Sequence, residues 1–159
     1  MLNPYQKQFL QNFLSHRVRF VVIGGMARFH YHDIPTRDLD VLVDIGATRL
    51  ATEHALLAWA TRYPAHTLRD MTPPLALRPM VQVKFPDDVC LYMDEGGEIR
   101  EIAPEDGVDI LTTIPVGDFD DLYLRSKVVM LSGLVLRMLS HEDLENTDRL
   151  LDDRTKMKP

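Results

Sequence analysis

The sequence predicts a single domain of the α/β or α+β class, and three observations carry that prediction. The chain has 159 residues, one domain's worth of polypeptide. Apolar residues make up 45% and charged residues 26%, ordinary globular usage that excludes a disordered tail, a collagen-like fibre and a disulfide scaffold. Segments of helical period alternate with short β-branched runs in the order helix, strand, helix, strand, helix, strands, helix.

Residues 4–16 place Phe9, Leu10, Phe13 and Leu14 on one helical face, with Pro4 in a first-turn position. Residues 18–23, Val-Arg-Phe-Val-Val-Ile, read as a central strand ended by Gly24-Gly25. Met26 to His32 form a short helix that stops before Pro35. Asp38 to Val43 alternates acid and aliphatic, the period of a strand. Leu50, Ala51, Ala55, Leu56, Ala58 and Trp59 define a second amphipathic helix over 48–63. The proline-containing stretch 67–79 reads as a loop. Residues 81–85 and 89–93 read as strands of a hairpin around Pro86-Asp87-Asp88, with another turn at Gly96-Gly97. Val108 to Leu111 is a short apolar strand around one aspartate, and Phe119 to Tyr123 a helical turn. Lys127–Leu131 and Leu134–Leu139 flank Ser132-Gly133, a two-residue hairpin signal. Ser140 caps a last helix beginning His141-Glu142-Asp143, and a polar, frayed tail is expected from about residue 152.

The net charge of −6 argues against affinity for nucleic acid through a broad basic surface. It leaves room for a nucleotide bound through metal ions. No run of 18 apolar residues is present, so no transmembrane helix is expected, and the amino terminus lacks the basic and apolar regions of a signal peptide. The lone Cys90 cannot form an internal disulfide, which suits a reducing cytoplasm. There is no Walker loop, no Gly-x-Ser-x-Gly and no Gly-x-Gly-x-x-Gly. His30-x-His32-Asp33 has the composition of a zinc site, but residues i and i+2 of a helix diverge by roughly 200°, so one ion is hard to share. Asp44 lies near a strand end, which predicts solvent exposure.

Three features carry chemistry. Gly24-Gly25 stands where a strand turns into a helix: either a tight turn, or a place where backbone N–H groups and a helix N-terminus meet an anion. Asp38-Leu39-Asp40 puts two carboxylates on one face of a strand. They are either a solvated edge or a pair bridged by an oxygen-preferring cation such as Mg²⁺. Asp109, inside Val108-Asp-Ile-Leu111, is either a turn residue or an acid placed for a purpose. Arg37, next to the Asp-x-Asp strand, and Arg28, on the helix after the glycines, could touch a phosphate, and each could equally be a surface charge.

Taken together, Ile23-Gly24-Gly25, a spacer of twelve residues, Asp38-Leu39-Asp40 and a later Asp109 resemble the nucleotidyltransferase superfamily, whose fold is shared with polymerase beta. The stretches 20–27, 36–43, 108–114, 119–122 and 139–144 are similar to a small bacterial and archaeal branch that includes abortive-infection and toxin–antitoxin nucleotidyltransferases. The resemblance covers roughly residues 18–150. It implies one domain over 1–159, with a mixed central sheet flanked by helices. It also implies Mg²⁺-dependent (or Mn²⁺-dependent) transfer of a nucleoside monophosphate from an NTP to a hydroxyl of RNA, protein or a small molecule. Asp38, Asp40 and Asp109 would be the catalytic and metal-binding residues, and Gly24, Gly25 and Arg37 would hold the phosphates. Asp94 is a rival for the third carboxylate, in an apparent insertion over 86–106. Where the branch carries a lysine in its last helix, this chain has Asp148, followed by Arg149. That departure keeps open a second reading, a nucleotidyltransferase-fold binding module without turnover that acts through a partner.

Overall fold

The computed structural model describes residues 1–62, 80–82, 90–93, 99–102 and 106–156. The loop expected at 67–79, the turns at 86–88 and 96–97, Asp94 and the last three residues lie outside them. The elements run α1 (Pro4–Ser15), β1 (Phe20–Ile23), α2 (Gly24–His32), β2 (Leu39–Val43), α3 (Arg49–Arg62), β3 (Met80–Gln82), β4 (Cys90–Met93), β5 (Ile99–Ile102), β6 (Val108–Leu111), α4 (Phe119–Arg125), β7 (Lys127–Leu131), β8 (Leu134–Met138) and α5 (His141–Lys156).

Six strands form one mixed sheet in the order β3-β6-β2-β1-β8-β7, and β4 pairs with β5 in a separate two-stranded sheet. β1 is antiparallel to β2 and parallel to β8; β2 is parallel to β6. The Phe-Val-Val-Ile run of β1 is buried along its whole length, as an all-apolar interior strand must be. β7 and β8 meet through Ser132 and Gly133, both at positive φ (51° and 82°), the backbone of a tight two-residue hairpin.

α1 starts with a reciprocal cap. The Gln6 amide N–H donates to Asn3 Oδ1 (2.8 Å), and the Asn3 N–H donates to Gln6 Oε1 (3.1 Å), with Pro4 in the first turn. Its buried face, Tyr5, Phe9, Leu10 and Phe13, joins the core against Trp59 of α3. The Trp59 ring meets Tyr5 and Phe9 edge-on, with centroids 5.3 and 5.1 Å apart. Phe9→Ala should therefore cost about 3–5 kcal/mol, read as a drop in the midpoint of chemical denaturation.

Several expectations are corrected. Of the hairpin expected over 81–93, the described strands do not pair with each other: β3 joins β6 in the main sheet, while β4 pairs with β5, a strand the sequence did not reveal. The last helix does not fray at 152 but runs to Lys156. Leu14 and Leu50 are exposed, because each sits at the edge of its helix's apolar stripe. Asp44 is buried: it accepts hydrogen bonds from the Arg19 guanidinium (3.1 Å) and the Ala47 N–H (3.1 Å), closing the turn before α3.

Candidate active site at the sheet and the start of α2

The strand pairing sets the site. In the parallel β2–β6 ladder Asp40 stands opposite Asp109, and in the antiparallel β1–β2 ladder it stands opposite Ile23, the residue before Gly24. Asp40 thus lies between the third acid and the start of α2. It shares a hydrogen bond with the Asp109 side chain and accepts one from the Gly25 N–H. Burial, then the Asp109 charge and that shared hydrogen bond, then the Asp38 charge, push its carboxyl up to about 7. The Gly25 N–H opposes this shift by favouring the carboxylate. Asp38, just before β2, is exposed, and its backbone N–H donates to Thr36 Oγ1 (3.1 Å).

The two glycines are required by space. Gly24 has φ +62°, and a β-carbon on it would fall 2.2 Å from Asp40 Oδ2. A β-carbon on Gly25 would fall 2.4 Å from Thr36 Oγ1. Only hydrogen at both positions lets the first turn of α2 lie against the acids, with its positive helix end toward them.

Beside Asp40 opens a cavity of about 230 Å³. Gly24, Arg28 and Asp40 supply its polar wall, and Ile23, Leu111, Ile114, Leu139 and Leu144 its apolar one. Arg28 Nε donates to Asp148 Oδ2 (3.1 Å), and a second guanidinium nitrogen donates to Asp148 Oδ1. That bonding, reinforced by the charges of Asp148 and Asp40, raises the Arg28 pKa and keeps it a cation. An acid of α5 thus holds an arginine of α2 at the cavity wall.

Arg37 has a different place. Its guanidinium makes a two-pronged pair with Asp106, both bonds 2.6 Å, and it is not among the residues lining the cavity. Arg28, by contrast, occupies the cavity wall. Arg37–Asp106 instead ties the residues preceding β2 to those preceding β6.

Gln6 does the same job from below, and the sequence alone gave no sign of it. Its buried amide donates to the Arg37 carbonyl (2.8 Å) and the Gly107 carbonyl (3.1 Å), bridging the segments that lead into both acid-bearing strands. The signal available was the capping-box pattern, which marks Gln6 only as a helix-start residue. Gln6→Leu should lower stability by roughly 2–3 kcal/mol, since two strand-leading carbonyls and one cap bond lose their partner. Thermal unfolding of the variant is the check.

No protein-family model and no curated protein matches this chain. Among solved structures, the crystal structure of TM1012 from Thermotoga maritima, a candidate nucleotidyltransferase, matches it with a TM-score of 0.54 and 14% identity. The match covers 98% of this chain and 90% of that one. The chain thus shares the mixed α/β fold of that structure. No helix among the described residues is long and apolar enough to cross a membrane.

Proposed function

We propose that the protein is a divalent-cation-dependent nucleotidyltransferase that moves a nucleoside monophosphate from an NTP to a hydroxyl acceptor. The observation that carries the reading is Asp40 facing Asp109 across paired strands, its carboxyl pushed to about 7, against a helix start that only glycine can form. Acids held this close repel one another when ionised, and a hard cation with oxygen ligands relieves that repulsion. Asp38, Asp40 and Asp109 are the residues that would hold it. Mg²⁺, or Mn²⁺, when bound supplies charge neutralisation for the triphosphate and the leaving pyrophosphate, and acidifies the attacking hydroxyl.

The chain's own groups take the remaining roles. The first turn of α2 presents its N–H groups and positive end to phosphate oxygens, with Gly24 and Gly25 allowing the close approach. Arg28, held by Asp148, supplies the cation on the cavity wall. Asp109 accepts the proton of the acceptor hydroxyl. The cavity is smaller than the roughly 300–1,000 Å³ of sites that enclose a whole ligand, so its apolar wall takes one part of the nucleotide while the triphosphate lies toward the acids.

The deciding experiment incubates the protein with Mg²⁺ and each NTP labelled at the α-phosphate, together with total RNA and cell lysate. Label should appear on RNA, protein or a small molecule with the native chain, and should vanish with Asp109→Asn while the metal-free fold stays as stable or gains slightly. No label with any acceptor, or normal labelling by Asp109→Asn, would overturn the reading. Arg28→Ala should raise KM for the NTP about tenfold, the loss of roughly 1.4 kcal/mol of binding.

Asp148 favours a second reading. Because it already neutralises Arg28, the site is less cationic than one with a free lysine, as befits a binding module of the toxin–antitoxin kind, seated in a reducing cytoplasm and acting through RNA or a protein partner. A rise in Tm with NTP and Mg²⁺, but no transfer of label, would select it.

A further inference from the structure

The histidine passed over as an i, i+2 pair on α2 finds its partners elsewhere. His32, in the last turn of α2, meets His141 and Glu145, one turn apart on α5. His32 Nε2 and His141 Nε2 are 3.3 Å apart, His141 Nε2 and Glu145 Oε1 are 3.0 Å apart, and all three ligand atoms lie within 4.8 Å of one another. We propose that His32, His141 and Glu145 form a second metal site, distinct from the acids of the sheet, that takes a borderline-soft divalent ion such as Zn²⁺ and clamps α2 to α5.

The chemistry selects that class of ion. Two imidazoles and one carboxylate are the donor set of Zn²⁺ and its first-row neighbours, whereas Mg²⁺ and Ca²⁺ prefer oxygen alone. Tetrahedral ligands at about 2.0–2.1 Å from zinc stand roughly 3.3–3.4 Å apart, close to the separation of the two imidazole nitrogens. Hydrogen bonding accounts for the cluster less completely. His141 Nε2 carries at most one hydrogen, so it cannot donate to both His32 and Glu145. A metal satisfies all three atoms at once. All three side chains are exposed, so ions reach them freely and the fourth position is open to water.

The surroundings fit a cation. His32 sits at the carboxyl end of α2, the negative end of its dipole. The first turn of α5 carries Glu142, which opposes its positive end, and Asp143, which is paired with Arg125. The Tyr31 ring packs on His141 with centroids 5.2 Å apart, and its hydroxyl donates to the Leu139 carbonyl (2.6 Å), which fixes the aromatic wall behind the ligand. Arg28 is four residues before His32, and Asp148 is seven after His141. The ion therefore fastens the same two helices about one turn from one partner of that ion pair and two turns from the other.

The test uses the full chain freed of metal with EDTA, in an Asp40→Asn background so that the sheet acids contribute little. One Zn²⁺ per chain should bind by equilibrium dialysis. Co²⁺ should give the intense visible bands of a four-coordinate site. Saturating Zn²⁺ should raise Tm by about 5 °C. His141→Asn and, as a second variant should the first fold poorly, Glu145→Gln should each weaken binding at least tenfold and abolish the cobalt bands. With EDTA present, both variants should melt like their parent, since the side chains are exposed. Unchanged Zn²⁺ affinity in either folded variant, or a parent protein showing neither a cobalt spectrum nor a shift in Tm, would overturn the site and leave a hydrogen-bonded surface cluster.

Discussion

Replacing Asp40 with Asn is expected to cut nucleotidyl transfer by roughly 10³ or more, equivalent to about 4 kcal/mol of barrier lowering, and at the same time to stabilise the metal-free protein above neutral pH. The second effect follows from the pKa. Asp40 titrates near its ordinary value of 3.8 in the unfolded chain and near 7 in the fold. Between those values the folded state holds the extra proton, so stability contributed by the neutral carboxyl is intact below about pH 4 and is lost as pH rises to about 7. Discounted for its partial exposure, the loss is on the order of 2 kcal/mol. Asn keeps an acceptor for the Gly25 N–H and a donor toward Asp109, and has nothing to ionise. Metal-free wild type should thus lose Tm between pH 5 and pH 8 relative to Asp40→Asn, and Mg²⁺ should restore wild type most at the upper end. Parallel melting curves for the two proteins across that range would sink this account.

Much of the frame was legible because local pattern and tertiary demand coincide there. The Phe-Val-Val-Ile run of β1 has no polar position, and the sheet buries all of it. Ser132-Gly133 supplies both positive φ values its hairpin needs. Asp38 and Asp40 were visible as a pair because strand parity is written in the residue spacing. What was not legible depends on which strands meet. Residues 81–85 could be read as a strand, but nothing local chooses β6 over β4 as the partner. Asp44 looked solvated because spacing says nothing of Arg19, 25 residues earlier, or of the turn that needs its oxygens. Arg37 adjoins Asp38 in sequence, but nothing local announces its pairing with Asp106, 69 residues away, and Gln6 reaches 31 and 101 residues to the carbonyls it bridges. The same reasoning separates His32 from its near neighbour His30: helical geometry turns that pair apart, and the packing of α2 on α5 brings His141 within reach of His32.

The largest structural effect should come from Gly24→Ala. Two independent costs meet at this position. An alanine at φ +62° pays the left-handed penalty of roughly 1–2 kcal/mol. Its β-carbon also lands 2.2 Å from Asp40 Oδ2 and 3.0 Å from Asp40 Cγ, so either the carboxylate leaves Asp109 and the Gly25 N–H or α2 moves off the sheet. Together these should lower stability by about 3–4 kcal/mol and remove transfer activity, because either escape breaks the arrangement of acids and helix start. Gly25→Ala is the control. Its φ is not in the positive range, and its obstacle, Thr36 Oγ1, belongs to a single side chain in the segment before β2. It should cost less than half as much. The two costs at Gly24 can be separated by a double-mutant cycle. In an Asp40→Ala background the obstructing carboxylate is gone and only the position-40 β-carbon, 3.2 Å away, still crowds the new methyl, so Gly24→Ala should then cost little more than its φ penalty, leaving a coupling of up to about 2 kcal/mol between the two positions. Additive losses would mean that α2 does not press on Asp40, and that the glycine is there for the turn alone.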